Sequence, residues 1–406
     1  MAPCSSCYNF LSVMPDSSVT LAPVPMLDLK RQFAAIREEV YAAIHEVCES
    51  QHLVLGEAVQ AFERESARYL GALAAVGCAS GTDALWLSLA ACGIGAGDSV
   101  ITTSFSFFAT ASSIVRCDAR PVFVDIHPDT LNLDPGQVEA KLFSAGATNL
   151  KAIMPVHLYG QCADMDRFER FGREHNLKIV EDAAQAFGAS WRGRRAGTLS
   201  HAAAFSFYPT KNLSAFGDGG LVTTQDGEIA EHVRRLRNHG SRVRYYHEEI
   251  GWNSRLDSIQ AAVLRVKLKY IDKWNARRRE VAARYDKLLV EVGLASPASR
   301  GGWAAKEPVR LLCTLPQAHH IYHQYVIRAM RRDELRAFLN TRGIGSEIYY
   351  PVPLHLQDCF NYLGYREGEL PHTELAAKEV LALPIFPEIT NEEQQRVVDA
   401  IREFYR

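Results

Sequence analysis

Apolar residues recur at steps of three and four through Phe33, Ile36, Val40, Ile44 and Val47. This spacing predicts an amphipathic helix over "MLDLKRQFAAIREEVYAAIHEVCES". "EAVQAFERESARYLG" predicts a second helix, closed by Gly71. The pattern then alternates. "AAVGCAS", "SVITTS", "PVFVDI", "LKAIMPVHLYG" and "LKIVED" read as strands. "GTDALWLSLAACG", "SFFATASSIVRCD" and "MDRFERFGREHN" read as helices between them. Such a rhythm predicts an α/β fold, a mostly parallel sheet covered on both faces. Near Asn275 the rhythm changes. "WNARRREVAARYDKLLVEVG" predicts a long helix, "HHIYHQYVIRAM" a strand, "RRDELRAFLNTRG" a helix and "IGSEIYY" a short strand. The expected organisation is a loose leader over 1–24, a large domain over 25–280 with N-terminal helices, and a smaller α+β domain over 281–406.

Composition narrows the function classes. The chain has 406 residues, 47% hydrophobic and 23% charged, with a net charge of -2. That balance gives no general attraction to nucleic acid or to an anionic membrane. No stretch reads as a membrane span, and the first residues lack the basic and apolar regions of a signal peptide. Met14 and Met26 are candidate starts beside Met1, and the sequence does not decide among the three. The nine cysteines are scattered. Cys4 and Cys7 have no second ligand pair at metal-binding spacing, so no metal is expected. Free thiols in a reducing cytoplasm account for them.

Four segments carry candidate chemistry. "GCASGTDAL" places Gly81 and Thr82 at a helix N-terminus, where unpaired N–H groups and the helix dipole favour a dianion. Ser80 and Thr82 add hydroxyls; the same residues also read as a plain helix cap. "TTSFSFFATA" offers Phe107 as an aromatic that can lie on a planar ring, with core packing as the other reading of its neighbours. "LKIVEDAAQAFGA" puts Glu181 and Asp182 at a strand end, where parallel sheets bind ligands. An Asp there can hold a heterocyclic nitrogen protonated, and Gln185 can donate to a phenolic oxygen of the same ring. Either acid can equally be a helix cap. His157, in "PVHLYGQ", ends the preceding strand, where it reads either as a satisfied polar histidine or as a residue near the ring.

The fourth segment is "FSFYPTKNLSAFGDGG". Pro209 favours an extended turn. Gly217, Gly219 and Gly220 are expected to supply positive φ. Ser206 can donate to a phosphate. Lys211 is directed inward, where burial lowers its pKa and frees it to capture an aldehyde and to move a proton. The four parts together describe a pyridoxal 5'-phosphate site. A dinucleotide-dependent oxidoreductase is disfavoured, because the glycine fingerprint is missing.

"SGTDAL", "PVHLYGQ", "EDAAQAFGA", "FSFYPTKNLSAFGDGG" and "GWNSRLDSIQAA" resemble the DegT/DnrJ/EryC1/StrS aminotransferases, from about Pro25 to the C-terminus. The resemblance implies the fold of aspartate aminotransferase (PLP-dependent transferase fold type I). It implies a homodimer with shared active sites. It also implies an amino group moved from L-glutamate to a keto group on a nucleotide-linked sugar, with pyridoxamine 5'-phosphate formed between the two halves. By position it makes Lys211 the Schiff-base lysine, Asp182 the partner of the pyridine nitrogen and Gln185 the contact of the ring oxygen. Gly81, Thr82 and Ser206 hold the phosphate, Phe107 stacks, and Asn253 reaches the phosphate from the neighbouring subunit. His157, Tyr208, Tyr350 and His355 become candidates near the substrate. The chain departs from the pattern at Gln357–Asp358, where relatives often carry Gln-Pro. The subgroup most similar acts at C3 of dTDP-3-keto-6-deoxyhexoses. Relatives acting at C4 more often carry His in the place of Tyr208, so amination at C4 is the alternative. A dehydratase on this scaffold carries His in place of the lysine, which Lys211 argues against. A non-catalytic regulatory protein that binds the cofactor or a sugar is the remaining alternative.

Overall fold

The computed structural model describes residues 22–143, 149–297 and 307–406. Cys4, Cys7 and Met14 lie outside them. Helix α1 (Leu29–Ser50) is capped by the Asp28 side chain, which accepts from the N–H groups of Lys30 and Arg31. Helix α2 (Glu57–Leu70) ends on Gly71, at φ +79°.

A seven-stranded sheet follows. Its strands in chain order are β1 (Ala74–Cys78), β2 (Ser99–Thr103), β3 (Arg120–Val124), β4 (Leu150–Met154), β5 (Lys178–Asp182), β6 (Ala202–Ser206) and β7 (Gly220–Thr224). They lie side by side as β1-β7-β6-β5-β4-β2-β3. Only β7 runs against its neighbours, pairing antiparallel with both β1 and β6. Neighbouring residues of one strand feed different cores, as the two-residue strand period requires. Ile101 and Ile179 enter one apolar cluster with Phe62, Phe205 and Phe207. Val100 and Val180 enter another with Trp86 and Leu87 of helix α3 (Gly81–Ala91). Burial of both faces explains why apolar residues occupy successive positions of these strands.

The helix Ile271–Glu291 contributes to two cores. Ile271 and Trp274 pack into the cluster under the large sheet. Val281, Ala282, Tyr285, Leu288 and Leu289 pack into a separate cluster. That second cluster surrounds a three-stranded antiparallel sheet, β8 (Val309–Leu311), β9 (Tyr325–Ala329) and β10 (Val380–Leu383). Between the two groups Arg278 is buried. Its guanidinium donates to the carbonyls of Tyr322, His323 and Ile385, and burial pulls its pKa down to about 10.

Three expectations are corrected. The leader does not extend through residue 24. Val24 is fully buried in the second cluster and exchanges backbone hydrogen bonds with Gly343 and Gly345. The strand expected at Ile344–Tyr350 reduces to single bridges, Val24 with Ile344 and Glu347 with Ala382. Gly217, Gly219 and Gly220 do not supply positive φ. Gly220 is needed for close approach instead: a Cβ there would lie 2.1 Å from the Ser80 carbonyl oxygen.

Among the described residues no two cysteines form a disulfide, and no helix is long and apolar enough to cross a membrane.

Candidate active site

The candidate residues lie at the carboxyl ends of β5 and β6 and in the segments that follow β2 and β6, with the end of β6 set against the entry of α3. Ser80 caps α3, its hydroxyl accepting from the Asp83 N–H at 3.1 Å. The cap reading therefore holds for Ser80. The N–H groups of Gly81 and Thr82, ahead of Asp83, have no intrahelical acceptor and are open to a ligand. Gly81 is buried against Ser206, and a Cβ on Gly81 would meet the Ser206 Cβ at 2.4 Å and its Oγ at 2.8 Å. The glycine lets the helix entry and the strand end form one cradle. Thr82 and Ser206 are both half-buried on it.

Asp182 ends β5 and is buried. Thr110, in the first turn of helix α4 (Phe108–Arg116), donates to its Oδ2 at 2.7 Å. The Ala184 N–H donates to Oδ1 at 3.2 Å. Burial raises the pKa of Asp182, while Thr110, Ala184, Lys211 and His157 work against that rise. Lys211 sits in the turn after β6, its N–H donating to the Tyr208 carbonyl at 2.8 Å. Burial lowers its pKa to about 8, and the nearby Asp182 carboxylate opposes the shift. The amine is nucleophilic only when unprotonated. Capture of pyridoxal phosphate by cofactor-free protein should therefore speed up as pH rises through about 8. Stopped-flow rates that stay flat from about pH 6 to about pH 10 would contradict this assignment of the ammonium.

The three phenylalanines divide. Phe105 is fully buried in the core, and Phe108 packs on Phe360 at 5.6 Å. Phe107 is 57% exposed at the entry of α4, its ring 6.2 Å from that of Tyr350. Gln185 is buried, with its Oε1 accepting from the Tyr159 N–H at 2.6 Å and its Nε2 donating to the Tyr350 hydroxyl at 2.9 Å. Tyr208 is 53% exposed beside the lysine turn. Asn253 stands apart: it is exposed, its backbone bridges to Asn238, and its side chain bonds to no member of the cluster.

Two substrate candidates are displaced. His157 is fully buried. Its Nδ1 accepts from the Ala163 N–H, so Nε2 carries the ring proton and donates to Glu181 at 2.9 Å. Glu181 also accepts from the N–H groups of Gly197 and Leu199 and from the Ser200 hydroxyl. This carboxylate is a structural hub, and His157 supports the site from behind, its backbone N–H donating to the Asp182 carbonyl at 3.0 Å. Replacing Glu181 with Ala should destabilise the protein by about 3–5 kcal/mol, because it leaves those donors buried and unpaired. The shift in the denaturant midpoint measures it. His355 is likewise 1% exposed, its ring held between the Ser104 hydroxyl at 2.7 Å and Glu374 at 3.2 Å. It braces the loop that carries Tyr350 and does not present its ring to a ligand.

The cradle, the buried carboxylate and the depressed amine are the donor set of an anionic pyridine aldehyde. Comparison with known proteins agrees. The profile of the DegT/DnrJ/EryC1/StrS aminotransferase family matches residues 34–402.

This chain belongs to that family.

As a DegT/DnrJ/EryC1/StrS protein it is a pyridoxal phosphate-dependent aminotransferase with the fold of that class. A pleiotropic regulatory protein of Geobacillus stearothermophilus is 50% identical over 386 residues, which is 94% of this chain and 99% of that protein. The dTDP-3-amino-3,4,6-trideoxy-alpha-D-glucose transaminase of Streptomyces venezuelae is 45% identical over 381 residues, 94% of this chain and 96% of that one. Among solved structures, S. venezuelae DesV in complex with a ketimine intermediate superposes with a TM-score of 0.88. It is 45% identical and covers 95% of this chain and 99% of its own.

Sequence reasoning missed Thr110 and Ser106. The signal was the pair of hydroxyls one helical turn apart around Phe107, which spacing alone does not separate from a helix cap.

Proposed function

We propose that this aminotransferase moves the amino group of L-glutamate to C3 of a dTDP-3-keto-6-deoxyhexose. It would work as a cytoplasmic homodimer in which Asn253 reaches the neighbouring site. The observation that carries the chemical part is the joining of Lys211 and Asp182 at the carboxyl ends of two central strands beside the Gly81–Ser206 cradle. The sugar part is supported by the 45% identity to a transaminase named for a dTDP-3-amino sugar.

Bound there, pyridoxal phosphate supplies an electron sink and carries the amino group between the two substrates. The chain's own residues do the rest. Gly81, Thr82 and Ser206 hold the phosphate at the helix entry, where the dipole favours its charge. Phe107 would stack on the ring, and Gln185 and Asp182 would orient it. The Lys211 amine would hold the aldehyde covalently and, when free, would accept and return a proton at Nζ. Its lowered pKa suits both directions of that transfer near neutral pH. Asp182 would keep a positive charge on the ring nitrogen, which makes the ring a better electron sink.

The test runs the reaction from the product side. Purified holoenzyme is mixed with a dTDP-3-amino-6-deoxyhexose and 2-oxoglutarate, and glutamate and the keto sugar are followed by NMR. Release of glutamate from the 3-amino sugar alone supports the proposal. Release only from a 4-amino sugar moves the site of amination to C4. The relative with a regulatory name favours a second reading, a binding protein without turnover. Failure with every amino sugar and an unbleached visible band would favour it.

A further inference from the structure

Both oxygens of Asp182 are engaged within the chain. Thr110 Oγ1 donates to Oδ2 at 2.7 Å, and the Ala184 N–H donates to Oδ1 at 3.2 Å. Behind Thr110, the Ser106 hydroxyl lies 2.7 Å from Thr110 Oγ1. All three side chains are buried. A threonine hydroxyl has one proton. If it goes to Asp182, Ser106 must donate into Thr110. The reverse polarity would need a proton on Asp182 and an acceptor for the Ser106 hydroxyl. Among the described residues no such acceptor lies within hydrogen-bond distance of Ser106. The row of hydroxyls is therefore polarised toward an ionised Asp182. Contacts on both oxygens also fix the plane of the carboxylate. Ser106 and Thr110 flank Phe107, so one segment places the exposed aromatic and the donor to the acid.

We propose that Thr110, backed by Ser106, is the positioning residue of Asp182, holding its carboxylate ionised and oriented for a protonated ring nitrogen. This rests on the reading of Asp182 as the partner of that nitrogen. Four influences act on Asp182 besides Thr110: burial, which favours the neutral acid; the Ala184 N–H; Lys211; and the His157 ring, all of which oppose it. The Tyr350 phenol also faces it and is held more firmly protonated by its charge. Without the Thr110 hydroxyl, burial is less opposed, and the shared proton moves from the ring toward the carboxylate. A less positive ring makes the nitrogen attached to Lys211 hold its own proton more tightly. The pH midpoint of the visible band then moves up.

The experiment compares wild-type holoenzyme with Thr110→Val, Thr110→Ser, Ser106→Ala and Asp182→Asn. It reads the pH midpoint of the visible band and the Kd of pyridoxal phosphate for the stripped protein. Thr110→Val is expected to raise the midpoint by about one unit and to weaken cofactor binding about tenfold, since one unit and a factor of ten are the same free energy. Thr110→Ser, which keeps the hydroxyl, should restore wild-type values. Ser106→Ala should shift the midpoint the same way by less. Wild-type values in Thr110→Val beside a shifted Asp182→Asn overturn the role of Thr110 alone. An unshifted Asp182→Asn overturns the assignment of Asp182 itself. Should Thr110→Val fail to fold, an unshifted Ser106→Ala overturns the proposal.

Discussion

Lys211→Ala is expected to abolish transamination and to leave no adduct on position 211 after borohydride treatment. The fold should survive. The turn is held by the backbone bond from the residue 211 N–H to the Tyr208 carbonyl, which an alanine keeps. The neighbouring Asn212 is anchored independently, its amide donating to Asn275 at 2.7 Å and its Oδ1 facing His323 at 3.1 Å. What disappears is an amine whose pKa burial has brought down to about 8, where it is both nucleophile and proton carrier. Loss of a general base alone costs up to about 10⁴-fold, and here the covalent anchor goes too. Turnover should therefore fall by at least about 10⁴-fold while the circular dichroism and the melting curve stay near those of the parent. Residual turnover within about tenfold of wild type would remove Lys211 from the chemistry.

Asp182→Ala is the second large effect. The carboxylate is buried and faces the cluster at a strand end, so its charge acts in a poorly screened setting. Removing a preorganised charge of this kind costs about 10²–10³-fold in kcat, about 3–4 kcal/mol. The Thr110 hydroxyl and the Ala184 N–H also lose their acceptor. Single-turnover rates with the amino donor separate loss of chemistry from weaker cofactor retention. Asp182→Asn keeps the shape and removes the charge, so comparable losses in both variants would identify the charge as the cause. An Asp182→Ala enzyme with near-normal turnover would refute the role.

The two effects differ in origin. Lys211 acts by forming and breaking bonds, so its loss cannot be compensated by nearby groups. Asp182 acts through its charge and forms no bond that the reaction makes or breaks. Its loss is therefore partial.

Much of the frame was legible along the chain because it is set by local rules. The three- and four-residue steps from Phe33 to Val47 mark a helix wherever it packs, and the structure has it at Leu29–Ser50. The apolar runs "SVITTS" and "LKIVED" mark strands buried on two faces, and they are β2 and β5. The turn holding Lys211 and the acid ending β5 could be placed for the same reason: strand ends and helix entries are sequence-local.

Contacts between distant segments were not legible. Tertiary packing seals His157 against Glu181 and His355 against Ser104 and Glu374, so two polar residues expected near a substrate became supports. It brings Val24 to Ile344 and so draws the end of the expected leader into the second core. It sets Thr110 2.7 Å from Asp182 across 72 positions of chain. The sequence by itself determined the alternation of elements, the lysine in its turn and the acid at its strand end, because hydrophobic period and turn chemistry act over a few residues. Only the tertiary structure decided which polar groups face the site and which are spent on one another, because a hydrogen bond depends on ångström-scale distance between segments that the order of residues does not encode locally.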